Sequence, residues 1–148
     1  MQRDFSISVD ISVPPERVWP VLSDVERWHE WTDSITSAEK LTPGPLAVGM
    51  KVKVRQPKLP SALWTVSELQ PGQSFTWIST APGILVTAKH SVVRAGKGSQ
   101  ASLSIHYGGL LGAGLARLTG GINDRYIAME AAGLKHRSEN PDTARARI

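Results

Sequence analysis

The chain has four histidines and no cysteine, so any proton transfer near neutral pH falls first to histidine. One of the four sits where chemistry would need it. In the run from Ile84 to Val92, positions 84, 86, 88, 90 and 92 read Ile, Val, Ala, His, Val, while Thr87, Lys89 and Ser91 lie between them. Alternation of period two puts His90 on the apolar face of a strand. An imidazole there is a general base or a ligand anchor, or else a core histidine bonded to a neighbour; one histidine with no partner visible in the sequence leaves both open. Tyr107 closes a later run and offers its hydroxyl to a cavity mouth or satisfies it locally. Glu68 shares the parity of Trp64 and Val66, as an inward polar anchor or, near the Pro71-Gly72 turn, a solvated one. Trp64 and Trp77 wall a pocket or fill a core. Trp28 and Trp31, three apart, share one helical face that closes a cavity or packs on a sheet rim.

Other chemistries find no support. His29, His90, His106 and His136 lack metal-ligand spacing, and no thiolates exist to complete a zinc site, so no metal is expected. No phosphate-cradling loop and no Gly-x-Ser-x-Gly elbow occur. Gly112-x-Gly114 is followed by Arg117 where a dinucleotide fingerprint wants glycine. No cofactor is therefore expected. The net charge is +4, of which +2 falls after residue 134. Lys51, Lys53 and Arg55 alternate along one run without interleaved aromatics, which argues for a solvated outer face and against nucleic-acid binding. The length of 148 residues fits one domain with a real core. The N-terminus shows no apolar signal segment, so a soluble cytoplasmic protein is expected.

The elements that must carry these residues can be read in order. Phe5, Ile7, Val9 and Ile11 alternate with polar residues as a strand over 4–12. Pro14-Pro15-Glu16 opens a helix, shortened or bent by Pro20. Ser23 and Glu26 are spaced as a capping box for a second short helix. Runs near 34–42, 49–56, 62–70, 73–80, 84–95 and 99–107, separated by Gly/Pro turns, read as an antiparallel meander. Their parities agree on one buried face: Val52 and Val54, Trp64 and Val66, Phe75 and Trp77, Val86 and Ala88, then Leu103 and Tyr107.

Residues 108–137 read as one long helix with a stripe of Leu111, Leu115, Leu118, Ile122, Tyr126, Met129 and Gly133. Arg117, Asp124 and Glu130 fall off that stripe, towards water. Charges inside the stretch argue against a membrane span. Six glycines lie between 108 and 121. They serve close packing or leave room for a ligand, and Gly120-Gly121 is the expected kink. The polar segment 139–148 reads as a disordered tail outside a domain of 1–138.

This order resembles the helix-grip fold of the START-like (SRPBCC) superfamily, in its bacterial polyketide cyclase/dehydrase-like branch. The likeness is carried by ISVPPERVWPVLSDVERWHEWTDSI at 11–35, GMKVKV at 49–54, WTVSELQPGQSFTW at 64–77, APGILVTAKHSV at 81–92, and YGGLLGAGLARLTGG with GLKHRSE at the end. The resemblance implies an α+β fold, with a curved antiparallel sheet of about seven strands in β-α-α-β6-α order gripping a C-terminal helix. It also implies a cavity between them for a small hydrophobic or amphipathic molecule. The expected lining is Val52, Val54, Trp64, Trp77, Val86, Ala88, His90 and Tyr107 from the sheet, with Leu111, Gly114, Leu118 and Ile122 from the helix. Binding is the leading expectation. The alternatives are a cyclase/dehydratase-type enzyme, with His90 as acid/base and Tyr107 or Glu68 orienting it, and a protein-interaction regulator. Fold alone does not choose among them.

Overall fold

The computed structural model describes residues 4–141. The predicted tail lies outside them from residue 142 onward. The chain runs β1 (Asp4–Ile11), α1 (Pro15–Ser23), a 3₁₀ turn (Val25–Glu30), β2 (Ser37–Lys40), β3 (Lys51–Arg55), β4 (Ala62–Gln70), β5 (Ser74–Ala81), β6 (Ile84–Ala95), β7 (Gly98–Gly108) and α2 (Gly112–Glu139). The strands form one antiparallel sheet in the order β1-β7-β6-β5-β4-β3-β2. Every connection along β2 to β7 is a neighbour-to-neighbour reversal, and β1 closes on β7 after the two short helices. This is the helix-grip α+β fold.

Alternation along each strand sets which face is covered. Phe75, Trp77, Ala88, His90, Val92, Ala101 and Leu103 are buried, while Lys89, Val93 and Gln100 are exposed. A one-residue slip would reverse both sets, so the register is tightly specified. α2 packs chiefly over β1 and β7. α1 and the 3₁₀ turn cover the rest of the concave face, bringing Val18, Leu22, Val25 and Trp28 onto Phe75, Val92 and Trp77. No helix among the described residues is long and apolar enough to cross a membrane.

Several local expectations change. Ser23 caps nothing: its Oγ donates back to the Trp19 carbonyl at 2.8 Å, and Glu26 instead accepts the Lys40 backbone N–H at 3.1 Å. The segment after it is therefore a 3₁₀ turn and not an α-helix. Gly108 still belongs to β7, and Gly109 turns the chain at φ +86. A Cβ on Gly109 would lie 2.4 Å from the Gly83 carbonyl oxygen, so glycine is required there. The helix is continuous from Gly112 to Glu139, without a break at Gly120-Gly121. Its last residue is anchored, because Glu139 Oε2 accepts the Ser12 backbone N–H and the Lys135 ammonium, each at 2.8 Å.

The largest correction is the rotational phase of α2. Its inward residues are Gly112, Ala116, Asn123, Tyr126, Ile127, Ala131, Leu134, Arg137 and Ser138. Leu111 and Leu118 point outward, at 58% and 83% exposure. In the first half of the helix Leu118 marks the solvent face, while Gly112 and Ala116 are buried and Leu115 packs against the Phe5–Tyr107 cluster.

Candidate functional site

A cavity of about 50 Å³ lies between the sheet and the middle of α2. Trp28 of the 3₁₀ turn walls one end, with Trp64 and Trp77 from the β4–β5 hairpin beside it. Centroid separations of 5.4 Å for Trp28 and Trp77, and 5.7 Å for Trp64 and Trp77, make these rings one continuous wall. The floor comes from Val54, Ala88, Leu103 and Ile105. Polar groups converge from two sides: His90 and Gln56 from the sheet side, and Asn123, Tyr126 and Glu130 from α2.

His90 is 5% exposed and stacks on Phe75 at 4.2 Å between centroids and 15° between planes. Its Nδ1 lies 3.2 Å from the Phe75 carbonyl oxygen. A carbonyl only accepts, so Nδ1 carries the proton and Nε2 keeps a lone pair. Burial pushes the imidazole pKa down to about 4, against a smaller upward pull from that backbone hydrogen bond. The ring is therefore neutral at pH 7, with a basic nitrogen that no described residue engages.

Glu130 reaches the cavity from α2, one turn beyond Tyr126 and Ile127. It keeps some accessible surface because it lines a space, but the surrounding protein strips most of its hydration. Desolvation pushes its carboxyl up to about 8. No cation among the described residues pairs with it. At neutral pH it is a carboxylic acid with a proton to donate. Tyr126 donates its hydroxyl to the Pro57 carbonyl, fixing α2 to the loop between β3 and β4 at the cavity's edge.

The structure brings Val54, Trp64, Trp77, Ala88 and His90 together around this space. Other predicted positions lie elsewhere. Val52 is fully buried in the core beside the cavity. Val86 and Tyr107 belong to a second, smaller cluster with Phe5, Ala116 and Ile127. There the Tyr107 hydroxyl donates to Asn123 Oδ1 at 3.0 Å, and Asn123 Nδ2 donates to Thr119 Oγ1 at 3.0 Å. Ile122 is half-buried away from the lining, while Leu111, Gly114 and Leu118 face outward. Gly114 has no atom near the place of a Cβ, so it neither packs closely nor borders the cavity. Glu68 is exposed because a β-bulge between Val66 and Glu68 breaks the parity that pointed it inward.

Glu130, expected to face water, is instead a lining residue. The signal that finds it is the spacing Asn123, Ile127, Glu130, Leu134, which steps by four, three and four along the inward face. Among the described residues no group of ligating side chains could hold a metal ion.

The space as it stands accommodates one or two waters, whose share of liquid volume is roughly 30 Å³ each. Small-molecule pockets run to about 300 Å³ and above. A ligand larger than water must therefore move α2, the 3₁₀ turn or the loop that Tyr126 holds.

The chain aligns over 93% of its length with 93% of the aromatase/cyclase ZhuI of a Streptomyces species, at 16% identity and a TM-score of 0.74. A Thermus thermophilus protein matches at 16% identity and TM-score 0.72, covering 91% of this chain and 96% of its own. The di-domain aromatase/cyclase of the BE-7585A biosynthetic pathway matches over 93% of this chain and 47% of its own, at 16% identity and TM-score 0.70. At these identities the likeness is one of fold. No match was found among curated proteins. The family model described as polyketide cyclase / dehydrase and lipid transport matches residues 2–139, and the chain belongs to that family.

Proposed function

We propose that the cavity binds an uncharged, partly aromatic small molecule bearing hydrogen-bonding oxygens. The observation that carries this reading is the pairing of Glu130 and His90, both neutral at pH 7, in one tryptophan-walled space. A ligand hydroxyl can donate to His90 Nε2, and a ligand carbonyl can accept from the Glu130 carboxyl. The Trp64, Trp77 and Trp28 rings, tilted 31° and 54° between neighbours, offer aromatic faces to a ligand with an aromatic part. A fatty-acid carboxylate would bring a buried charge to a site whose one cationic lining residue, Lys89, is an exposed residue of β6, which is costly. The family supports a small hydrophobic ligand, and Trp64 and Trp77 provide the readout. Titration with aromatic hydroxyketones should quench tryptophan emission saturably, and saturated fatty acids should not. Glu130→Ala should weaken binding about tenfold, while Glu130→Gln, which still donates, should lose less. No saturable response across the aromatic panel sinks the proposal.

A second reading is favoured by the same convergence of a base and an acid. With an enolisable polyketone, His90 Nε2 would take a proton from the carbon next to a carbonyl. Glu130 would give its proton to the oxygen that becomes the hydroxyl, or to a departing hydroxyl that leaves as water. Neither Tyr107, whose hydroxyl donates to Asn123, nor exposed Glu68 lines the cavity, so Glu130 is the acid in this reading. The structural likeness to aromatase/cyclases supports this chemistry. If His90→Ala leaves turnover of an accepted substrate unchanged, the enzyme reading fails and the binder reading stands.

A further inference from the structure

The outward face of the first half of α2 carries leucines where a solvent-facing helix usually carries charge. Leu110 is 95% exposed, Leu118 83% and Leu111 58%. They form one patch. The Leu111 backbone N–H donates to the Gly83 carbonyl at 2.8 Å, and the Leu111 side chain covers Gly83, 3.0 Å from where a Cβ would stand. Leu118 lies seven residues beyond Leu111, two turns along the same face and about 10 Å away. Isolated surface leucines are ordinary, but a connected patch at one end of a molecule marks a contact surface.

The charge around the patch identifies what it contacts. Residues 69–123 contain no aspartate or glutamate, and Arg117 is the basic residue among them on α2. Arg117 adjoins Leu118, and Arg125 lies seven residues beyond Leu118 on the same face. Both are exposed, and neither makes an ion pair among the described residues. The acidic residues that flank this end are Asp124, next to Arg125, and Asp4, which His106 engages at 2.7 Å. Leu110 lies in the turn from β7 into α2 with its side chain almost wholly exposed. Protruding leucines beside unpaired arginines are the composition of an interfacial lipid contact.

We propose that this end of the molecule docks peripherally on an anionic lipid surface, with Leu110, Leu111 and Leu118 entering the interface and Arg117 and Arg125 at the headgroup phosphates. This goes beyond the ligand proposal and does not depend on it.

The test is co-sedimentation of the full chain with vesicles of phosphatidylcholine alone, and of phosphatidylcholine with about a third phosphatidylglycerol. The protein should pellet with the mixed vesicles and much less with the neutral ones. The double substitution Leu110→Ser with Leu118→Ser should cut binding about tenfold or more. Arg117→Gln with Arg125→Gln should remove the preference for anionic lipid and most of the salt dependence. Unchanged far-UV circular dichroism melts in both variants show that folding is intact. The proposal is overturned if the wild type stays in the supernatant, or if the serine pair binds vesicles as the wild type does. It is also overturned if the patch instead drives concentration-dependent dimers that the serine pair disperses while vesicles are ignored.

Discussion

Gly114 and Gly133 lie on one helix, and a methyl group added to each would meet very different surroundings. At Gly114 it would find nothing within 4 Å. At Gly133 it would stand 1.9 Å from the Trp31 carbonyl oxygen and 3.0 Å from the Trp31 ring. The first half of α2 is held to the sheet by small residues and a short polar chain of Tyr107, Asn123 and Thr119. The second half is packed against the 3₁₀ turn, with Leu134 fully buried and Arg137 donating to Glu30 Oε1 at 3.1 Å. Burial works to raise the Glu30 carboxyl, but hydrogen bonds from Arg27 and Arg137 outweigh it and hold it low. Glu130 sits in the tight half, where the surrounding protein desolvates its carboxyl. The glycine-rich half is thus the loosely held one, and the half with ordinary composition carries the chemistry.

The largest test of that contrast is Gly133→Ala. The obstructing atom is backbone, so the helix or the Trp31 loop must shift. The expected loss is about 3 kcal/mol or more in denaturant melts. A loss below about 1 kcal/mol would show that the two halves are not packed differently.

Next comes pH. Glu130 has a folded pKa of about 8 against 4.5 for the free group, so between those values the folded state holds the extra proton. Its contribution is complete below pH 4.5 and is lost as pH rises towards 8, at up to about 1.4 kcal/mol per unit. His90 has a folded pKa of about 4 against 6.5, so its contribution grows as pH rises from 4 to 6.5. The two oppose each other from 4.5 to 6.5, and Glu130 acts alone above that. Stability should be flat in the lower window and fall by about 2 kcal/mol between pH 6.5 and 8. Glu130→Gln should remove that fall; a wild-type curve already flat there contradicts the burial of the acid.

Tyr107→Phe should cost about 1 kcal/mol, because Asn123 loses the hydroxyl donating to its Oδ1 in a buried setting. The smallest effect has the opposite sign. Gly114→Ala should stabilise by about 0.5–1 kcal/mol, since alanine suits a helix better and meets no neighbour. A destabilised Gly114→Ala would mean that the first half is more tightly held than its surroundings show.

Much of the fold is legible in the sequence because strand parity is a strong signal. Alternation alone assigns His90, Trp64, Trp77, Val54 and Ala88 to one face, and they meet at one cavity. Two features hide the rest. A bulge adds a residue at Val66–Glu68, and no alternation rule foresees it, so parity points Glu68 the wrong way. In α2 the expected stripe holds at Leu115 and Tyr126, but Leu111 and Leu118 on it face outward. The true inward face is Ala116, Asn123, Ile127, Ala131 and Leu134, with a glutamate among them. A hydrophobicity count discards a buried acid. Gly133 stands out in the sequence only as a member of the leucine stripe, because its need for zero side chain depends on Trp31, a partner distant in sequence.

Both readings of the site require α2 to present an un-ionised carboxyl to the same cavity as a neutral imidazole. The most direct measurement is the side-chain carboxyl carbon-13 shift of Glu130 across pH, assigned by comparison with Glu130→Gln. A titration midpoint near 8 is the predicted result. A midpoint in the ordinary carboxylate range, near 4.5, would contradict it.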